Sequence, residues 1–576
     1  MKEPYDRGHH PPTAASLACS TLSVSTPSLD PLVTRISAQT QKCGHHIGDR
    51  CLVAPAPELK ARIDSQLQAL RERAGTEDEA RVGADLAARL RVQLERRSKP
   101  VGMDDGMIFP GFQFDPGTPA QVVRAAAAER APLRGVIRVV VVLAEFTDRK
   151  MEAAHTKEHF NELFFSTGVL PNGSVKEYFD EVAHGLIRIE GEVVGPYQLP
   201  HSLQEYANGE SGTGPESPNA RTMARDAAVA ADRDVDFAPY DNDGNGFVDA
   251  FIVVHAGGGA EQTGSTSDIW SHKWVLAGGE YNADGTRIFA YLTVPEDCRI
   301  GVCSHELGHL VFGWPDLYDT DDSSEGLGNW CLMAGGSWNA GGDIPAHPSA
   351  WCKAQQGWVS VSAPTNNGTV NISDVKDGHT VYRLWKDGVP SSEYFLVENR
   401  QRRLYDRHLP GDGLLLYHVD ETIESNANEN RPKVALVQAD GNRDLERHAN
   451  RGDAGDPFPG SSNNTSLTAT SDPNSKSYGG ISTCVQMTNI SQSAAMMSAR
   501  LSVECRTRRR IAGLGGTRNL GTLEARVAAL EAAVQGVIAT QRAGVSAIPS
   551  LVDRPFDLSE GALTGEPEGD GETERE

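Results

Sequence analysis

The apolar residues of this chain change rhythm several times, and each rhythm predicts a different element. From Val136 to Leu143 the run is nearly unbroken and rich in β-branched side chains, which predicts a buried strand. His159 to Phe165 carries apolar residues at helical spacing. A second helix starts at Val175, with Ser174 as its N-cap and Glu177 as the capping-box partner. Residues 186–194 alternate like a strand. Residues 250–255 and 289–294 read as two more buried strands.

Beyond residue 358 the rhythm shortens. Val381, Tyr382 and Leu384, then 394–397, 414–419 and 434–438, form brief apolar runs separated by Asn, Gly, Asp and Ser. That pattern predicts a β-rich, sandwich-like domain over 358–504. The flanks are helical in rhythm. Leu59, Ile63, Leu67 and Leu70, then Leu86, Leu90 and Leu94, repeat among charges. Leu523, Val527, Leu530, Val534 and Val537 make a short coiled-coil stripe, a candidate oligomerisation helix over 523–537. The expected organisation is α+β. Residues 1–50 are a disordered or upstream leader, and 51–130 a helical region. A globular domain over 131–357 and the β-rich domain over 358–504 follow. Residues 505–576 hold a linker, the coiled-coil stripe and an acidic disordered tail.

Composition narrows the function. The formal charge of −24 excludes a general nucleic-acid binder, because phosphate backbones demand positive charge. No apolar run approaches the length of a transmembrane helix. Met1 to Asp6 lack the basic start and apolar stretch of a signal peptide. Nine cysteines leave one unpaired if all the others are oxidised.

The chemistry concentrates in residues 303–316, which contain His305-Glu306-Leu307-Gly308-His309. On a helix, positions i and i+4 share a face, so the two imidazoles can point at one metal ion. Glu306 lies beside that face and can reach a metal-bound water. This is the zinc-hydrolase arrangement of two imidazole ligands and a carboxylate base. Gly313 and Pro315 stop the helix and turn the chain. An acid can then return to the metal, with Asp316 the first candidate and Asp319 the second. Either acid could instead cap or solvate the loop. Met333, in a turn-rich stretch, would support the imidazoles by packing.

A second metal signal lies upstream. Asp241, Asp243, Asn245 and Asp249 offer oxygens at positions one, three, five and nine of a loop with Gly246 at its turn. They resemble the first part of an EF-hand loop, a candidate calcium site. The closing bidentate Glu is missing, since Ile252 stands there, so acids from elsewhere such as Asp234 or Asp236 would complete it. The alternative is an Asp/Asn/Gly turn held by its own hydrogen bonds.

Several stretches taken in order resemble the immune-inhibitor-A-like metallopeptidases, the M6 peptidase family. They are residues 51–59, 145–148, 240–249, 254–257, 269–274, the HExxH stretch with Pro315-Asp316-Leu317-Tyr318-Asp319, 330–333, 457–460 and 477–480. The resemblance implies a metzincin-like catalytic domain, a propeptide within 51–130, calcium, a β-rich C-terminal domain and an extracellular location. It makes His305, His309 and Asp316 zinc ligands, Glu306 the general base and Met333 the Met-turn. In the family pattern the Asp falls six residues after the second His. Here Phe312 adds one residue before Gly313, and Asp316 falls seven after His309. Cys51 could block the zinc as a thiolate.

The function expected from these observations is zinc-dependent endopeptidase activity on proteins or peptides. Glu306 would activate a zinc-bound water, with Tyr318 or His347 as secondary groups. The alternative is a catalytically inactive extracellular protein-binding module that keeps a structural zinc site. The retained Glu306 argues against it, because a structural site needs no base.

Overall fold

A computed structural model describes residues 51–73, 134–244 and 246–505. The stripe at 523–537 and the acidic tail lie outside the described residues.

The first layer is a six-stranded mixed sheet. Its strands are β1 (Cys51–Leu52), β2 (Gly135–Glu145), β3 (Ile187–Gln198), β4 (Phe251–His255), β5 (His272–Val275) and, after the small hairpin β6 (Tyr281–Ala283) and β7 (Thr286–Ile288), β8 (Ala290–Pro295). The order across the sheet is β1-β5-β8-β4-β2-β3. Strands β3, β2, β4 and β8 run parallel, β5 runs antiparallel to β8, and β1 runs antiparallel to β5. The unbroken apolar run of β2 follows from burial on both faces. Val139, Val141 and Leu143 enter one core, and Val140, Val142 and Ala144 enter the other. Each of these Val and Leu side chains, fully buried, contributes about 1.5–3 kcal/mol.

Helices α2 (Lys157–Phe165), α3 (Val175–Val182) and α5 (Ile300–Leu310) supply the first core. Helix α4 (Ala220–Ala231) supplies the second, pressing Met223, Ala224, Ala227, Ala228 and Ala231 onto the sheet. Ser174 caps α3 by accepting from the Glu177 amide at 3.2 Å. The Glu177 carboxylate accepts from the Gly168 amide at 3.0 Å, so it ties the preceding turn instead of closing the capping box.

The chain then crosses α6 (Ala350–Gln355) and enters two further sheets. The larger contains β9 (Ser360–Ser362), β11 (Thr380–Leu384), β12 (Glu393–Arg400), β13 (Gly413–Asp420) and β14 (Val434–Leu436), in the order β14-β13-β12-β11-β9. The smaller contains β10 (Gly368–Ser373), β15 (Gln486–Thr488) and β16 (Met496–Ser502), in the order β10-β16-β15. The larger sheet is covered on both faces. Leu396, Leu415, Tyr417 and Val419 join the core of the zinc-motif helix. Phe395, Val397, Leu414 and Leu416 meet Ile372, Met487, Met497, Ala499 and Leu501 of the smaller sheet. Cys484 and Cys505 form a disulfide at the end of this sandwich.

A buried charge network joins the larger sheet to what precedes it. Glu398 pairs with Lys353 at 2.6 Å and Arg400 at 3.1 Å, and Asp406 pairs with Arg400 and with Lys376 at 3.0 Å. The Tyr417 hydroxyl donates to Glu398 at 2.9 Å. Each charge thus has an opposite charge, the condition under which buried ions are tolerated.

The N-terminal segment is part of this fold. Residues 51 and 52 pair with the outer edge of β5, residues 53–56 continue past Ser271 and Glu261, and α1 (Pro57–Arg73) follows. Leu59 and Ile63 of α1 are buried, and Lys60 pairs with Asp322 at 2.9 Å and Glu325 at 3.1 Å.

Candidate active site

Helix α5 is buried along its whole length, which fixes the imidazoles of His305 and His309 in place. Met333 packs beneath it, so close that a Cβ on Gly308 would lie 2.6 Å from the Met333 sulfur. Gly308 therefore lets the Met333 side chain sit directly under the helix, between the turns that carry the two histidines.

The end of the helix explains how the extra residue is absorbed. Gly313 takes φ +64°, and its amide donates to the His309 carbonyl at 3.2 Å. The Trp314 amide reaches six residues back to the Gly308 carbonyl at 3.0 Å. The usual left-handed helix end closes over five residues, so the turn here is one residue wider. Phe312 fills the widened turn. Its ring lies 5.0 Å from those of Trp314 and Trp358 and 5.1 Å from that of Phe179.

The result is a tight set of three donors. His305 Nε2 and His309 Nε2 lie 3.0 Å apart, and Asp316 Oδ1 is 3.2 Å from the first and 3.0 Å from the second. His305 Nδ1 meets the Leu332 carbonyl at 2.9 Å, and His309 Nδ1 meets the Trp314 carbonyl at 2.6 Å. A carbonyl only accepts, so both Nδ1 atoms carry the proton and both Nε2 atoms present lone pairs. The contacts to Asp316 are then not hydrogen bonds. Two lone pairs and a carboxylate oxygen converge on one point, as they do around a cation. The donor set of two imidazoles and one carboxylate fits zinc.

Electrostatics separate the two acids at this point. Burial pushes the Glu306 carboxyl well above its ordinary range, and Asp316 adds to the rise. Burial acts on Asp316 in the same sense; rings of His309 and His305 protonated at Nε2 would hold it below the ordinary range, a role that a bound cation takes when those rings are neutral ligands. Burial also lowers His309, which keeps the ring neutral.

Asp319 stands outside the donor set and accepts from Ser324 Oγ at 2.7 Å, Ser323 Oγ at 2.9 Å and the Asp321 amide. Tyr318 borders the donors, its ring 6.4 Å from that of His305, and its hydroxyl donates to the Leu52 carbonyl at 2.8 Å. His347 is turned away, with Nε2 2.7 Å from Glu181 and its amide donating to Asp406 at 3.0 Å. Its carbonyl accepts from the amide of Leu332, the residue that orients His305.

Asp241, Asp243 and Asp249 come together with ligand atoms within 4.8 Å of one another, while Asn245 lies outside the described residues. Asp234 accepts from the Tyr197 hydroxyl and Asp236 from the Ala238 amide, and neither is among these clustered donors.

What sequence reasoning missed is mostly backbone. The Leu332 and Trp314 carbonyls have no side-chain signature. Nor do the groups that hold residues 51–56. The Val53 amide donates to Ser271 O at 3.2 Å, and the Val53 carbonyl accepts from Trp270 Nε1 at 2.8 Å. The Ala54 carbonyl accepts from Trp338 Nε1 at 2.9 Å, and the Ala56 amide donates to Glu261 O at 2.8 Å. Cys51 pairs with Lys273 across the strands and is not one of the clustered metal donors.

A buried HExxH helix with a returning aspartate, set under an edge strand, defines a catalytic domain of the zinc-metallopeptidase class. The family model of the immune inhibitor A peptidase M6 catalytic domain matches residues 138–365, and this chain contains a domain of that family. It is 29% identical over 270 residues to immune inhibitor A of Bacillus thuringiensis subsp. alesti, covering 38% of this chain and 39% of that one. It is 30% identical over 270 residues to the pre-pro-metalloprotease PrtV of Vibrio cholerae serotype O1, covering 38% of this chain and 29% of that one. The match thus spans well under half the length of either relative.

Proposed function

We propose that this chain is a zinc-dependent endopeptidase held latent by its own residues 51–56. The observation that carries the activity is the convergence of His305 Nε2, His309 Nε2 and Asp316 Oδ1 beside the buried Glu306. Zinc, when bound by these three residues, supplies the Lewis acid that polarises a water and a scissile carbonyl. The Leu332 and Trp314 carbonyls hold both imidazoles in the ligating tautomer. Glu306 takes the proton from the attacking water and returns it to the leaving amine. Its apolar surroundings make the ionised carboxylate a strong proton acceptor.

The edge of β5 supports the latency reading. Residues 51 and 52 add an antiparallel strand to β5. The following residues pass close enough to Glu306 for the Val53 backbone to lower its carboxyl, against the larger rise from burial. A substrate peptide would use the same edge by strand addition, so it competes with this segment.

Calcium at Asp241, Asp243 and Asp249 belongs to the same reading. Asp249 is fully buried and its Oδ1 has no hydrogen-bond partner, which a bound cation would supply. An extracellular setting agrees with the Cys484–Cys505 disulfide.

The test measures metal content and casein cleavage on one preparation, before and after removal of residues 1–133. Bound zinc with cleavage after removal, abolished by chelator, is the expected result. Zinc without cleavage in the shortened chain would favour the binding-module alternative. A chain that binds no zinc would sink both readings.

A further inference from the structure

The loop that follows β14 gathers a third set of acids that the zinc chemistry does not use. Asp440, Asp453 and Asp456 bring one carboxylate oxygen each within 4.8 Å of one another. We propose that they form a binding site for a hard divalent cation, calcium, which locks this loop onto the floor of the active site.

Two independent observations carry the site. The first is the donor set, which is all oxygen. Carboxylates without imidazole or thiolate select calcium or magnesium over zinc. The second is Asp456, which is 1% exposed. Its Oδ2 accepts from Trp330 Nε1 at 2.9 Å and from the Asp453 amide at 3.0 Å. Its Oδ1 is buried and has no partner. A carboxylate oxygen left in that state is costly, and a cation beside the other two acids removes the cost.

The neighbours are arranged as a cradle. Asp440 accepts from the Asn442 amide and from Asn442 Nδ2, both at 3.0 Å. Asp453 accepts from the Gly455 amide at 2.7 Å and Asn450 Nδ2 at 2.8 Å. Each of these oxygens keeps a second lone pair. A Cβ on Gly455 would collide with Asp440 Oδ2 and come within 3.0 Å of Asp453 Oδ1, so both carboxylates crowd the same side of that glycine.

The loop reaches the catalytic floor directly. Trp330, which Asp456 holds, lies three residues before Met333. The Asn329 amide donates to the Arg451 carbonyl at 2.8 Å, and the Glu325 amide donates to the Leu445 carbonyl at 2.9 Å. A cation that fixes 440–456 therefore fixes the stretch that places Met333 under the histidines. The site is separate from Asp241, Asp243 and Asp249, and it does not depend on the chain being a peptidase.

Terbium(III) is the probe, because Trp330 beside Asp456 can sensitise its emission. The full chain is titrated with zinc present, in a D241N/D243N background that removes the other acidic loop. Calcium-displaceable emission is expected there, and D440N/D453N should weaken half-saturation by more than about tenfold. Emission that the second pair of substitutions leaves unchanged, or no displaceable emission at all, overturns the site. If D440N/D453N fails to fold, crystals of the unaltered chain soaked in terbium decide it. An anomalous peak among Asp440, Asp453 and Asp456 is the expected result, and its absence overturns the proposal.

Discussion

His305 Nε2 and His309 Nε2 face each other at 3.0 Å, and neither carries a proton. Two lone pairs at that distance repel, and Asp316 Oδ1 adds a third. Zinc bound among these three donors would supply the positive charge that offsets this repulsion. Zinc at about one hundred times its Kd should stabilise the chain by about 2.7 kcal/mol. Thermal unfolding with zinc and with chelator measures this. Equal melting temperatures would remove zinc from the site.

Replacing Glu306 by Gln keeps the shape and removes the proposed base. Zinc content should be unchanged, while peptide cleavage by the shortened chain falls by about 10²–10⁴. Cleavage that persists at the original rate would show that another group takes the proton.

The two acids of the turn should behave differently. Asp316→Asn should cost most of the zinc, since Asp316 stands with the imidazoles. Asp319→Asn should leave zinc content near that of the unaltered chain, since Asp319 serves Ser323 and Ser324. Metal analysis of both variants distinguishes them, and the reverse ranking would move the third ligand to Asp319.

Tyr318→Phe deletes one hydrogen bond to the Leu52 carbonyl. A loss of about 1 kcal/mol corresponds to about a fivefold rise in the undocked fraction of the segment. Residual cleavage by the uncut chain should rise by that factor, with little change in the shortened chain. Equal effects in both forms would make Tyr318 a group of the reaction instead of a clasp.

The buried network at the sheet junction sets an acid limit. Burial opposes ionisation of Asp406, but Arg400, His347 and Lys376 outweigh it and hold the carboxyl well below 3.8. Lys353 and Arg400 likewise bring Glu398 below 4.5. The unfolded chain takes up these protons first as pH falls, so the network stabilises fully above the ordinary carboxylate range. That contribution drains away between those ordinary values and the depressed ones. Denaturant midpoints should fall steeply below about pH 4.5. Glu398→Ala should cost about 3–5 kcal/mol near neutral pH, because it strands Lys353 and Arg400. A flat midpoint across the acid range would show that the pairs do not titrate with folding.

Much of this architecture was legible because it is local. The β-branched run of β2 and the i, i+4 spacing of His305 and His309 need no distant partner. The short runs at 381–384, 394–397 and 414–419 were also readable, because they lie in strands that send side chains into two cores. Glu177 does not close the capping box because its carboxylate accepts from the Gly168 amide, a partner that the local sequence pattern does not show. The pairing of Leu52 with His272 had no local sign, since strand addition is made by backbone groups far apart in sequence. Asp453 and Asp456 repeat an acid at a spacing of three, but Asp440 joins them only through the fold.

The larger sheet of the C-terminal part is covered on both sides. The portion matched by the family model ends at residue 365, just after β9 and before the other strands of that sheet. A gene fragment cut there would code for a protein with Trp351 Nε1 deprived of Glu421 and Lys353 without its carboxylate. The portion matched by the family model and the compact unit of the fold are therefore different lengths in this chain. The part that could be transplanted into another protein and still fold runs on through the second sandwich sheet to Cys505.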